Sequence, residues 1–155
     1  MKAKPQLSKR PRPAKDVLSR DEIDQLEDTL PTERDRLIVR VFGDCSLRLD
    51  ELCSLRATDI SRSGRQAHLR VEGKGGHMRD VPMGPNLLRR LDRHIARRPA
   101  QRSSDHIFLS FRRQPSGQFD ALTNGGVYQV VKDAVARAGI PKRTYPHLLR
   151  HSWMT

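Results

Sequence analysis

The chain has 155 residues, of which 35% are apolar and 31% charged, enough for one domain with a modest core under a heavily charged surface. A net charge of +12 and a pI near 10.8 point to a polyanionic partner, because Lys and Arg bind phosphate backbones largely by releasing counterions. No stretch reaches the roughly 18 apolar residues of a membrane span, and the basic N-terminus lacks the apolar segment of a secretory signal, so no membrane partner is expected.

Residues 1–18 place Lys2, Lys4, Lys9, Arg10, Arg12 and Lys15 against Asp16, among Pro5, Pro11 and Pro13. Such a composition buries too little apolar surface to order itself and predicts a flexible basic arm. Ser19 and Glu22 form a capping box that opens a helix through Ile23, Leu26 and Leu30. Thr32 caps a second helix with Leu37, Ile38, Val41 and Phe42 on one face, and a third, short helix after Ser46 buries Leu49, Leu52, Cys53 and Leu55. Over 66–83 the period changes to two. Ala67, Leu69 and Val71 alternate with His68, Arg70 and Glu72, and glycines at 73, 75 and 76 then turn the chain before Arg79-Asp80-Val81-Pro82, which predicts a β-hairpin.

A helix after Pro85 is expected to bury Leu88, Leu91 and Ile95 and expose Arg89, Arg90, Arg93 and Arg97. Ile107-Phe108-Leu109 is a short apolar run. Thr123 to Ala138 reads as a helix closed by Gly139, with Tyr128 packed in its middle. The last residues, from Pro146 to Thr155, begin another periodic element. Cys45 and Cys53 make neither a disulfide framework nor a CxxC pair, so they read as buried free thiols in a reducing, cytoplasmic setting.

Three separated segments resemble the tyrosine recombinase, or phage integrase, family. SLRLDEL at 46–52, with Leu55 and Asp59, is similar to the box around the first active-site arginine. VEGKGG at 71–76 followed by RDVPM at 79–83 resembles the lysine hairpin, and PHLLRHSWMT at 146–155 the His-x-x-Arg-His box. Any one is weak in so basic a chain; their order, spacing and expected elements together are specific. The resemblance covers 19–155, as a partial catalytic domain after the 1–18 arm. It implies an α+β fold, mostly helical with a small antiparallel sheet, and site-specific strand exchange on double-stranded DNA through a 3′-phosphotyrosine, alongside other recombinase subunits.

By the same resemblance, Arg48 and Arg150 would hold the non-bridging oxygens of the phosphate. Lys74 would protonate the leaving 5′-oxygen, and His147 would accept the nucleophile's proton. Attack at phosphorus builds charge on those oxygens, and losing one donor to such a charge typically costs about 2.7–4 kcal/mol. Glu51 and His151 read as supporting residues, Glu51 as an internal partner for an arginine and His151 as a packing histidine. Lys9, Arg10 and Arg12 in the arm, Arg79 on the hairpin, and Arg89 and Arg93 on a helix face are candidate DNA contacts. The family uses no metal or cofactor. His147 and His151 are spaced like a metal pair, but no third ligand is evident and Arg150 beside them would repel a cation.

The plain alternatives remain open: Arg48 as a surface arginine, Lys74 as a solvated turn charge, and the arginines at 89–97 as a solvated helix face. The pattern also departs from the family. Ser46 stands where a glycine is usual and His77 where another basic residue is. Neither Tyr128 nor Tyr145 matches the nucleophile, so the residues as given are expected to bind DNA without cleaving it alone. A non-enzymatic basic DNA-binding regulator is the competing reading.

Overall fold

A computed structural model describes residues 18–140. The capping box forms as expected, with the Ser19 hydroxyl accepting from the Glu22 amide and Glu22 accepting from the Ser19 amide, and it opens α1 (Arg20–Thr29). Thr32 caps α2 (Glu33–Cys45) through the Asp35 amide. Leu37, Ile38, Val39, Val41 and Phe42 of α2 are wholly buried, so this helix is the axis of the core; α1, α4 (Pro85–Ala96) and α5 (Asn124–Ala138) all pack on it. Leu18, on the arm side of the expected boundary, is itself buried in that core.

After the short α3 (Leu49–Ser54) comes a three-stranded antiparallel sheet in the order β1-β2-β3: β1 (Ile60–Ser63), β2 (Gln66–Glu72) and β3 (Met78–Met83). In β2, Ala67, Leu69 and Val71 face inward while Gln66, Arg70 and Glu72 face water, which is the alternation the sequence carries. The edge strand β1 escaped the sequence reading, because four largely exposed and mostly polar residues leave no periodic trace. A second hairpin, β4 (Leu109–Arg113) with β5 (Phe119–Ala121), was legible only as an apolar run. Ile107 and Phe108 are buried but lie ahead of the strand; the Ile107 amide bonds Leu55 O, and Phe108 O accepts from the Leu122 amide.

Expectations for α3, α4 and α5 are corrected: in α3 Leu49 and Cys53, expected to be buried, are only half-buried, while Leu52 and Leu55 are buried. In α4 the buried residues are Leu87 and Leu91, with Leu88 and Ile95 half-buried. Arg90, expected to face water, is half-buried because Glu27 of α1 and Glu33 of α2 draw it in at 2.5 and 2.7 Å. In α5, Val127, Val130, Val131 and Ala134 form the inner face, which leaves Tyr128 exposed rather than packed. Gly139 closes α5 in the left-handed region, at φ 66°. Cys45 is buried and Cys53 half-buried; burial first, then the adjacent Asp44 and Asp50, push their thiols up to about 12 and about 11, which disfavours the thiolate. Among the described residues no helix is long and apolar enough to cross a membrane.

Candidate functional site

The turn between α2 and α3 decides where Arg48 points. Ser46 ends α2 with φ 57° and ψ 40°, the one non-glycine residue with positive φ among the described residues. That conformation, natural to glycine, reverses the chain so that Leu47 is fully buried and Arg48 becomes the N-cap of α3. With Leu47 anchoring the turn, the Arg48 side chain lies in solvent, and among the described residues its guanidinium makes no hydrogen bond or ion pair.

Glu51, three residues on and 5% exposed, accepts the Arg48 backbone N–H at 2.8 Å. The same carboxylate takes both terminal nitrogens of Arg79 on β3, at 2.6 and 2.9 Å, a fork-to-fork geometry. The hydrogen bond to Glu51 raises the Arg79 pKa against the opposing effect of burial, so that guanidinium keeps its charge. Gly73 lies directly on it. A Cβ at that position would sit 3.3 Å from Arg79 Nη1, closer than most side-chain carbons come, and in ordinary contact with Glu51 Oε2 at 3.5 Å. The hairpin then closes as the Gly73 amide bonds His77 O at 2.7 Å, with Lys74–Gly76 as a single 3-10 turn at the exposed tip.

One buried carboxylate therefore ties the turn that presents Arg48 to the strand that follows Lys74. Both cations stand in solvent with no partner among the described residues. Arg79 differs from them: Glu51 already occupies its terminal nitrogens. On α4, Arg89 bonds Asn86, while Arg93 is exposed and has no side-chain bond among the described residues. His147, Arg150 and His151, like Lys9, Arg10 and Arg12, lie outside the described residues.

Next to Glu51 and Gly73 a hollow of about 420 Å³ is also lined by Arg56, Arg70 and His106, which the motif reading passed over. Arg70 was legible as an outward position of β2; His106 was not, because it reaches Arg56 only through an isolated bridge between distant segments. Burial, then the charge of Arg56, lowers the His106 pKa, and its Nδ1 lies 2.6 Å from Ser104 Oγ. The hollow thus mixes the cations Arg56 and Arg70 and the imidazole of His106 with the carboxylates of Glu51, Asp59 and Glu72.

Residues 16–155 match the family described as the phage integrase family. The chain is similar to the tyrosine recombinase XerA of Pyrococcus furiosus, 33% identical over 141 residues, covering 89% of this chain and 46% of that protein. It is equally similar to XerC of Xanthomonas axonopodis pv. citri, 33% identical over 150 residues, covering 94% and 46% respectively. It thus spans about half the length of the curated relatives it matches. Among solved structures, the fold superposes on the XerA recombinase with a TM-score of 0.71, at 24% identity over 88% of this chain and 48% of that one. It superposes on the XerH recombinase bound to its difH substrate before cleavage with a TM-score of 0.73, at 21% identity over 89% and 41%.

Proposed function

Because this chain belongs to the phage integrase family, we propose that it holds the scissile phosphate in the catalytic centre of a site-specific tyrosine recombinase. Its substrate is duplex DNA, and it works beside other recombinase subunits. The relatives XerA and XerC are tyrosine recombinases, XerH was solved on a difH substrate, and a lambda integrase was solved as a tetramer on a Holliday junction.

Arg48 and Arg150 grip the non-bridging oxygens as a tyrosine hydroxyl attacks phosphorus. The charge that builds there is met by guanidiniums already in place rather than by reorganising water. Lys74, on a two-glycine tip, delivers a proton to the departing 5′-oxygen, and His147 accepts the tyrosine's proton. The observation that carries this reading is the uncommitted guanidinium of Arg48, braced through Glu51 to the hairpin of Lys74. An arginine kept merely for fold or solubility needs no such brace.

The test supplies the nucleophile from outside. The chain is mixed with a tyrosine recombinase that retains its tyrosine but lacks its second active-site arginine, on a nicked suicide duplex. The expected result is a covalent DNA adduct on the partner, reduced about 100-fold or more when this chain carries Arg48→Ala. Sequence-specific binding that survives Arg48→Ala, with no adduct in any mixture, would overturn the reading in favour of a non-enzymatic regulator.

A further inference from the structure

The β4–β5 hairpin carries a second concentration of uncommitted positive charge, at the opposite end of α2 from Arg48. Arg34, in the first turn of α2, donates to the Leu109 carbonyl at the start of β4 at 2.8 Å, whereas Arg48 follows the C-terminus of that helix. The 13 residues of α2, at about 1.5 Å each, put the two ends roughly 20 Å apart.

The pairing of β4 with β5 is irregular between Leu109 and Arg113, and Phe111, Arg112 and Arg113 are all exposed in succession. A regular strand would turn every second side chain inward; an irregularity of this kind re-aims them. Phe111 is 60% exposed, and its ring rests on the Arg34 guanidinium, 3.5 Å from the centroid. Arg34 is buried and already bonded to Asp35 and Leu109, so it supports the ring from within instead of reaching outward. Beside the ring lies a hollow of about 320 Å³ with Pro99, Leu109 and Phe119 in its wall and Arg97, from the end of α4, on its rim.

The charges around this hollow do not cancel. Asp35 is taken by Arg34 and Asp105 by Arg98, which leaves Asp120 as the one acid on the hairpin. Among the described residues the guanidiniums of Arg97 and Arg112 make no hydrogen bond or ion pair, and that of Arg113 lies only over the Phe119 ring, at 5.3 Å. An apolar protein partner would cover Phe111 but desolvate three guanidiniums without a counter-charge, which is costly. A sugar-phosphate backbone supplies the counter-charge. About 20 Å corresponds to roughly six base pairs of duplex, so one DNA molecule can reach both ends of α2.

We propose that Arg97, Arg112 and Arg113, grouped around Phe111, form a second contact to the backbone of duplex DNA, on phosphates remote from the one at Arg48. The proposal rests on the recombinase reading and extends it to how the duplex is held. It is tested by titrating the full chain with duplex DNA of arbitrary sequence over a range of salt concentrations. Replacing both Arg112 and Arg113 with Ala should lower the slope of log affinity against log salt by about 1.8, equally on unrelated sequences. The double replacement with Lys should restore it, which separates charge from folding. An unchanged slope in the Ala variant overturns this proposal alone; a wild-type chain that binds no duplex overturns the recombinase reading with it. A change in the oligomeric mass of the Ala variant without a change in slope would assign the surface to a protein partner instead, and would equally refute the DNA contact.

Discussion

Two neighbourhoods of the molecule use the same functional group differently. Around Glu27, Arg40 and Arg90 bind the carboxylate from α2 and α4, Arg40 also reaches Asp24 at 2.6 Å, and Arg90 reaches Glu33. Burial opposes the charge on both arginines, but the hydrogen bonds to these acids outweigh it and raise their pKa values. Those arginines join three helices, and acids of α1 and α2 meet their charge. Around Glu51 the buried carboxylate has a comparable job, joining α3 to β3 through Arg79, yet it engages only the backbone of Arg48 and leaves that guanidinium in water. Net charge treats all these arginines alike; the separation between structural and available cations comes from which acids have already claimed them.

That contrast can be broken by experiment, most severely in the helical network. Glu27→Ala strands two half-buried guanidiniums and should cost about 3 kcal/mol of unfolding free energy in urea. A loss under half of that would mean Asp24 and Glu33 suffice. Glu51→Ala should cost about 2 kcal/mol, since Arg79 is partly solvated and regains water. It should also weaken DNA binding, while Glu51→Gln, still an acceptor for the Arg48 amide, recovers part of the stability. Equal affinity in the Ala variant would contradict the bracing role.

Ser46→Gly should add about 1 kcal/mol in the same urea measurement, because it relieves a left-handed serine. A smaller, pH-dependent effect belongs to His94. Burial, ahead of the opposing Ile107 carbonyl bond, lowers its pKa below the ordinary value near 6.5. The folded state therefore binds a proton less readily than the unfolded chain, so stability is complete above pH 6.5 and declines as pH falls below it. The urea midpoint should fall between pH 7 and pH 5.5, and less so in His94→Gln. Least of all should Arg48→Ala disturb folding: within about 0.5 kcal/mol of wild type, with the loss confined to phosphate binding. A large loss of stability there would place Arg48 among the structural arginines after all.

Much of this was readable before any coordinates. Ser19 with Glu22, Thr32, and Thr123 with Gly139 mark helix ends by local hydrogen bonding, and the alternation of β2 is visible within seven residues. Arg48 and Lys74 stood out through the motifs around them. The β4–β5 hairpin did not, because its irregular register destroys the alternation that announces a strand, and the face of α4 was misjudged by one position because acids on other helices rotate Arg90 inward.

The amino-acid order alone determined the helices, the principal hairpin and the set of residues proposed to grip a phosphate, since capping, periodicity and turn chemistry act over a few neighbouring residues. Only the tertiary structure decided which cations are spent. Arg79 meets Glu51 across 28 positions and Arg34 meets Leu109 across 75, and a guanidinium's availability depends on such distant partners because charge is neutralised through space, not along the chain.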